Sequence, residues 1–102
     1  MPKYNIEIAE FALALLDGHL KFLANVSVKA AYKLNKDIFA KIETLEDNPY
    51  QNPIWITSFD LPHEYRRAVV NKRYLVIYFI DGNNVFVDYI LNAGMDNTKF
   101  FC

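Results

Sequence analysis

Apolar and polar positions change their spacing twice along this chain. Tyr4, Ile6 and Ile8 alternate with polar neighbours, which predicts a short opening strand. From residue 9 to about residue 23 the chain is rich in alanine and leucine, as is typical of a helix. Gly18 interrupts that stretch at a cost of roughly 1 kcal/mol relative to alanine. The opening therefore predicts a strand followed by a helix.

A second helix is indicated from Ser27, a good N-cap residue, to about residue 46. Its apolar positions recur every three or four residues and form one stripe: Ala31, Leu34, Ile38, Ile42 and Leu45. Only a short turn separates the two helices, so we expect them to pack as an antiparallel hairpin.

From residue 65 the spacing becomes two, which predicts strands at about 65–70, 74–80 and 85–91. The two connections, Asn71-Lys72 and Asp81-Gly82-Asn83-Asn84, have hairpin-turn chemistry. Ile54-Trp55-Ile56 is compatible with a short strand or a loop. We expect one α+β domain over residues 1–102, of order β-α-α-β-β-β, with a helix hairpin on one face of a small antiparallel sheet. The other face would be left open for binding.

Composition narrows the class of protein. The chain has 102 residues, of which 53% are hydrophobic and 16% aromatic, and its net charge is −1. The hydrophobic content is enough for a core. The net charge excludes a broadly basic surface of the kind that binds nucleic acid. No apolar run approaches the ~20 residues that span a bilayer, and the N-terminus does not resemble a signal peptide. We expect a soluble cytoplasmic protein with no membrane contact. With two histidines and the single Cys102, we expect no metal site and no cofactor.

All three arginines fall within eight residues: Arg66, Arg67 and Arg73. Their planar guanidinium groups can bind phosphate or carboxylate through two hydrogen bonds. Arg66 and Arg67 are neighbours on a strand, so they should point to opposite faces. The one on the helix side would need a carboxylate such as Glu10 or Asp37, and the other would be free. The alternative for each is a structural ion pair or a solvated charge at the sheet edge.

Several other side chains have both a functional and a structural interpretation. His63 is either a surface histidine or a general acid–base group. For His19, a packing or cap contact is favoured over the role of a ligand. Tyr74 and Tyr78 share a face, where they pack across strands or offer a platform for bases. Trp55 either packs into the core or is an exposed residue that contacts a partner. Phe100-Phe101 needs cover, which the helices, a partner protein or a second copy could provide.

Short phrases along nearly the whole chain resemble the RelE/ParE superfamily of toxins from type II toxin–antitoxin systems. The phrases, in chain order, are Leu45-Glu46-Asp47-Asn48-Pro49, Leu61-Pro62-His63-Glu64-Tyr65-Arg66, Arg73-Tyr74-Leu75-Val76-Ile77-Tyr78, Val85-Phe86-Val87-Asp88-Tyr89-Ile90-Leu91 and Gly94-Met95-Asp96. The last phrase is similar to the ending of the ParE-like branch. Each phrase is short, so their order and spacing carry the resemblance.

The resemblance implies a growth-inhibiting toxin, of the kind that stabilises plasmids, neutralised by a cognate antitoxin. ParE-like members inhibit DNA gyrase, and we favour this interpretation. It predicts a toxin that is not an enzyme. The alternative is a RelE-like, ribosome-dependent mRNA endonuclease (an mRNA interferase), whose catalytic candidates here are Arg66, Arg73, His63 and Tyr78. The candidates for partner binding are Arg66, Arg67, Arg73, Phe100 and Phe101, and a homodimer is a further alternative.

Two departures from the family pattern bear on this choice. The first favours gyrase inhibition over RNA cleavage, and the second weakens the gyrase interpretation too and adds a third alternative. Residues 47–65 contain no lysine or arginine, whereas RelE-like enzymes use lysines near the entry to the sheet. RNA cleavage needs a base, an acid and cations for the developing phosphate charge. The arginine usual before Met95-Asp96 is Gly94 here, so a late cation is missing. A decayed, non-toxic module that still binds an antitoxin is therefore the third alternative.

Overall fold

A computed structural model describes residues 3–58 and 60–94 of the chain. Its elements, in chain order, are β1 (Asn5–Ile8), α1 (Glu10–Ala24), α2 (Val28–Thr44), a single 3₁₀ turn (Pro49–Gln51), β2 (Arg66–Val70), β3 (Tyr74–Asp81) and β4 (Asn84–Asn92). The α+β fold and the order β-α-α-β-β-β predicted from the sequence are confirmed, with element ends shifted by one or two residues.

The four strands form one mixed sheet in the order β1-β4-β3-β2. The last three strands are an antiparallel meander, as predicted. β1 lies beside β4 and runs parallel to it, with Asn5 opposite Asn84 and Ile8 opposite Val87, so the expectation of an antiparallel sheet was wrong for this one strand. An irregularity between Ile77 and Tyr78 shifts the β3–β4 register, so that Ile77 faces Tyr89 and Tyr78 faces Val87. Asp88 is the extra residue of this bulge.

The helix hairpin covers one face of the sheet and encloses the main core. Ser27 caps α2, because its hydroxyl accepts a 3.1 Å hydrogen bond from the Ala30 amide. The predicted stripe of α2 is buried against alternate residues of the strands; the buried set includes Leu34, Ile38, Ile42, Leu45, Ala68, Val76, Val85, Val87 and Ile90. Each large aliphatic side chain buried here contributes about 1.5–3 kcal/mol of transfer free energy. This packing, more than helix propensity, holds the hairpin in place.

Both tight turns of the meander use backbone conformations that few residues tolerate. Asn71 and Lys72 have φ values of 53° and 63°, and Gly82 has a φ of 60°. Asparagine and glycine adopt this region readily, whereas lysine does so at some cost. The turn chemistry predicted from the sequence is therefore present, and it sets the register of β2 against β3.

α1 protects the part of β4 that β1 does not reach. β1 pairs with residues 84–87 only, and the Ala9 amide then bonds to the Val87 carbonyl at 2.9 Å. Further along, His19 Nε2 lies 2.8 Å from the carbonyl oxygen of Ile90 and donates to it when it carries the proton. His19 is thus a packing and capping contact, as expected. Covering a strand edge with a helix prevents pairing with other chains.

No helix in the described part of the chain combines the length and the apolarity needed to cross a membrane. Ile54-Trp55-Ile56, left open between strand and loop, is a loop that makes one antiparallel bridge, from Ile54 to Arg66. Trp55 is partly buried against the side of the sheet that faces away from α2, so it acts as a packing residue.

Candidate functional site

Arg66 and Arg67 point to opposite sides of the sheet, as strand alternation predicts. Arg66 lies opposite Tyr78 and shares the helix side, whereas Arg67 lies opposite Ile77 on the other side. The Arg66 guanidinium donates to the carbonyl oxygens of Asn52 at 2.7 Å and Tyr50 at 3.3 Å. Its carbon atom Cζ lies 5.2 Å from the centre of the Tyr50 ring. Arg66 therefore holds the 3₁₀ turn and the residue that follows it.

The expectation of a carboxylate partner for the helix-side arginine, Glu10 or Asp37, was wrong. Asp37 instead accepts hydrogen bonds from Lys33 and from the Asn71 side chain, the latter at 3.0 Å. The Lys33 bond and then the Asn71 bond lower the pKa of Asp37. Arg66 finds carbonyl groups because the irregular loop 49–53 presents oxygens that no strand or helix satisfies.

Tyr78 holds the same loop from inside the core. It is fully buried, and its hydroxyl donates to the Pro49 carbonyl at 2.6 Å and accepts from Asn52 Nδ2 at 3.1 Å. Burial raises the pKa of Tyr78, while the Asn52 bond and the Arg66 charge act in the opposite direction. The hydroxyl is therefore closed off from solvent. Tyr74 is also buried, so the pair is core packing and not a platform for bases.

A pocket of about 360 Å³ lies where β2 begins and β3 ends. Its walls come from Tyr50, His63, Glu64, Arg66, Phe79, Ile80 and Asp81. The His63 ring stacks on Phe79, with ring centres 3.8 Å apart and planes 8° from parallel. The pocket thus brings two of the catalytic candidates, Arg66 and His63, to one place. It also contains two carboxylates, which oppose the binding of a phosphate group.

The other two catalytic candidates lie elsewhere. Tyr78 is in the core, and Arg73 follows the β2–β3 turn, at the end of β2 opposite to Arg66. At about 3.3 Å per strand residue, the five residues of β2 separate Arg66 and Arg73 by more than one phosphate can bridge. The four residues proposed as a catalytic set are therefore divided between a pocket, the core and a turn.

The sheet face away from α2, which we expected to be open, is partly covered. Tyr65, Ile77 and Leu91 are buried there, and the side chains packed around them are Leu15, Trp55, Leu61, Leu75, Phe79 and Tyr89. Leu15 reaches this side from α1, while Trp55 and Leu61 come from the long loop. Arg67 emerges at the border of this cluster and is partly exposed. It forms no ion pair with another described residue.

A hydrogen-bonded group on this face was not foreseen from the sequence. The Tyr65 hydroxyl donates to the Asp88 carboxylate at 2.6 Å, and Tyr65 also shares a hydrogen bond with Tyr89. Burial, followed by the Asp88 bond, raises the pKa of Tyr65 far above its usual range. The sequence signal was Asp88 itself, a single acid inside an apolar strand.

Exposed apolar side chains cluster where the two helices meet. Phe22, Val26, Val28 and Tyr32 are between 72% and 80% exposed, and we call them the hairpin patch. Val28 and Tyr32 lie one turn apart and off the buried stripe of α2, which is the signal that could have identified them. Exposed apolar side chains that form a contiguous patch mark a contact site for other molecules. Phe100 and Phe101, the predicted apolar partner-binding residues, lie outside the described residues.

Metal binding has no obvious location in the described part of the chain, where no three His, Cys, Asp or Glu residues come together. Gly94 has space for a side chain: among the residues that the structure describes, an added Cβ would meet only the Asn92 side-chain oxygen, at 3.4 Å. The Gly94 amide donates to that same oxygen at 2.9 Å. Met95 and Asp96 lie outside the described residues.

The comparison with protein families and the comparison with solved structures agree with each other. The profile of the family described as ParE toxin of type II toxin–antitoxin system, parDE, matches residues 6–97. Among solved structures, one described as the chromosomal ParDE TA system from P. aeruginosa superposes with a TM-score of 0.71. That match is 15% identical and covers 88% of this chain and 96% of the other. Comparison with curated proteins gave no match.

Proposed function

Because this chain belongs to the ParE toxin family of type II toxin–antitoxin systems, we propose that a cognate antitoxin neutralises it and that its target is DNA gyrase. The single observation that carries the proposal is the family match over residues 6–97, which includes every strand and helix except the first residue of β1. The fold it shares with the ParDE structure from P. aeruginosa supports the same assignment.

An antitoxin has two kinds of surface to contact. The hairpin patch offers apolar area, and two lysines of α2 without an ion pair among the described residues, Lys29 and Lys36, lie close to it in sequence. Arg67 and Arg73 offer guanidinium groups that no described carboxylate occupies. Apolar burial supplies affinity, and charge complementarity supplies specificity and the rate of association. We therefore expect an acidic antitoxin that covers both surfaces.

Gyrase inhibition is favoured over RNA cleavage by the arrangement of the catalytic candidates. A ribonuclease must hold a base, an acid and a cation around one phosphate. Here Arg66 is committed to two carbonyl groups and sits beside Glu64 and Asp81. Tyr78 is buried, and Arg73 lies at the far end of β2. A toxin that acts by binding a protein does not need these groups to converge.

The test is expression of the chain alone and together with the small reading frame beside its gene. We expect growth arrest alone and rescue by the neighbour. Purified protein should inhibit supercoiling by gyrase, and primer extension on messenger RNA after induction should show no new ends. Normal growth at verified soluble expression would contradict toxicity, and new RNA ends without gyrase inhibition would favour the ribonuclease. Tight antitoxin binding with no arrest, inhibition or cleavage would identify a decayed module.

A further inference from the structure

β2 is the outer strand of the sheet, and only its first half is covered. The loop before it bonds to this edge twice: the Arg67 amide donates to the Pro53 carbonyl at 3.0 Å, and the Trp55 amide donates to the Tyr65 carbonyl at 2.8 Å. No described residue pairs with the rest of the edge, from Ala68 to Val70. The sheet therefore ends in a short open edge.

The direction of the backbone groups on this edge follows from the Arg67 bond. In an antiparallel strand, alternate residues direct both N–H and C=O to the same side. Since the Arg67 amide points outward to Pro53, the amide and carbonyl of Val69 point outward too. Neither group has a hydrogen-bond partner among the described residues, and the Val69 side chain is 42% exposed. One donor and two acceptors, including the Arg67 carbonyl, are thus available to another strand.

A groove runs beside this open edge, between β2 and α2. It encloses about 350 Å³ and is lined by Asp37, Ala40, Lys41, Thr44, Val69, Val70 and Asn71. Ala40 and the two valines give it an apolar floor. An extended chain bonded to Val69 would direct alternate side chains into the groove and over the opposite face of the sheet.

The charge around the groove favours an acidic occupant. The Asp37 carboxylate is already paired with Lys33 and Asn71. Four cations close to the open edge, Lys41, Arg67, Lys72 and Arg73, form no ion pair with another described residue. Two carboxylates, Glu43 and Asp47, line an adjoining cavity that shares Ala40 and Thr44 with the groove but does not include Val69 or Val70. A second copy of the chain pairing through β2 would bring the same cations together, which disfavours it.

We propose that a short extended segment carrying carboxylates adds to the sheet as a fifth strand beside β2. Its backbone bonds to Val69, its apolar side chains enter the groove, and its carboxylates face Lys41 and the arginines. Recognition of this kind takes affinity from main-chain bonds and specificity from alternate side chains. The inference rests on the proposed function only in that the antitoxin would supply the segment.

The experiment is an NMR titration of the ¹⁵N-labelled full chain with two synthetic heptapeptides. In one, glutamate alternates with valine, and in the other lysine replaces glutamate. We expect the amide signals of residues 68–71 to shift with the acidic peptide, with at least tenfold weaker binding of the basic one. No shift at this edge up to millimolar peptide, or equal shifts with both peptides, would overturn the proposal. So would shifts that depend only on protein concentration, which would identify self-association.

A pair of variants isolates the backbone bond. Val69→Pro removes the outward N–H, and proline is tolerated on an outer strand at such a position. Val69→Ala keeps the N–H and is the matched control. We expect binding of the acidic peptide to weaken about tenfold more in Val69→Pro than in Val69→Ala, since the loss of one hydrogen bond is of that order. Equal binding by both variants would show that no strand pairs here.

If Val69→Pro fails to fold, Lys41→Glu provides a second measurement, because Lys41 lines the groove from a helix surface. That variant should reverse the preference between the two peptides, and an unchanged preference would contradict the proposed site. The assay does not involve growth or gyrase, so its failure would leave the proposed function standing. A chain that proves harmless in cells can still bind the acidic peptide.

Discussion

The Tyr65 hydroxyl donates a 2.6 Å hydrogen bond to the Asp88 carboxylate, on the face of the sheet away from α2. The bulge in β4 makes this contact possible, because it inserts Asp88 between residues that face Tyr78 and Ile77. Tyr65 stands directly before β2, so the bond links the start of this outer strand to β4, across β3. It also links the stability of the fold to pH.

We predict that stability falls above about pH 10, the ordinary pKa of tyrosine. The pKa of Tyr65, Tyr78 and Tyr89 is raised in each case, with burial as the largest cause. The unfolded chain then loses these protons at lower pH than the folded chain does. Each tyrosine therefore stabilises the fold below its unfolded pKa, and this contribution decreases as pH rises toward the folded pKa.

The variant Tyr65→Phe should reduce this pH dependence. Urea unfolding between pH 9 and pH 11 should show a slope smaller by up to about 1.4 kcal/mol per pH unit, the value for one group. Tyr32→Phe, which removes the hydroxyl of an exposed ring, is the matched control and should leave the slope unchanged. An equal slope in all three proteins would contradict the role of Tyr65.

We predict that Tyr78→Phe destabilises the protein by about 1–3 kcal/mol, because it leaves the Pro49 carbonyl buried without a donor. Tyr74→Phe is the control, since Tyr74 is also a largely buried residue and its hydroxyl makes no hydrogen bond with another described residue. Thermal unfolding measures both. If Tyr78 had a catalytic role, Tyr78→Phe would abolish activity at a temperature where the variant remains folded.

Substitution of each of the two adjacent arginines, Arg66 and Arg67, should distinguish a structural role from a role in binding. Arg66→Ala removes both bonds to the loop and should cost about 1–3 kcal/mol of stability. Arg67→Ala should change stability by less than about 0.5 kcal/mol, as for most surface positions, and should weaken antitoxin binding. Unfolding and binding titrations on the same preparations test this. The reverse pattern would show that the functional guanidinium is Arg66.

At the β2–β3 turn, Asn71 contributes to the stability of the fold in two ways that can be separated. Its φ of 53° suits asparagine or glycine, and its side chain donates to Asp37. Asn71→Gly loses the hydrogen bond alone, whereas Asn71→Ala also places a Cβ in the left-handed region. We expect Asn71→Ala to be less stable than Asn71→Gly by about 1 kcal/mol, measured by urea unfolding. Equal stability would mean that the turn imposes no strain.

Restoring the late cation should increase activity. Gly94→Arg has room for its Cβ among the described residues, and it supplies the arginine that the resemblance to the ParE-like ending led us to expect at this position. We expect stronger growth inhibition at equal expression, with Gly94→Ala as the control for the loss of glycine. If Gly94→Arg and Gly94→Ala inhibit growth equally, the charge at this position is not part of the toxic mechanism.

Periodicity predicted the elements well but could not predict what they contact. The stripe of α2 and the alternation of β2 to β4 require burial on one side, so Ile38 and Val76 were identifiable as core residues. Alternation also separated Arg66 from Arg67. It carried no information about where β1 would pair, because a strand can join either edge in either direction.

The candidate site was harder to predict because its contacts come from irregular segments. The partners of Arg66 are carbonyl groups of a loop, and any residue type provides those. Trp55 and Leu61 cover a face that the element order left open, and no spacing rule places a loop over a sheet. Asp88 joins Tyr65 only because of a bulge. Exposure of the hairpin patch could have been read from Val28 and Tyr32, which lie off the α2 stripe.

The parallel pairing of β1 with β4 also constrains how the chain folds during synthesis. Asn5 must wait for Asn84, 79 positions later, before it gains its strand partner. Because β4 is a central strand, a ribosome-bound chain that lacks it cannot complete the sheet, and the helix hairpin then lacks part of the face against which it packs. Contacts of such long sequence separation also slow folding. The finished surface that a target or an antitoxin would recognise thus exists only after β4 has left the ribosome, which gives an antitoxin synthesised at the same time an interval in which to fold.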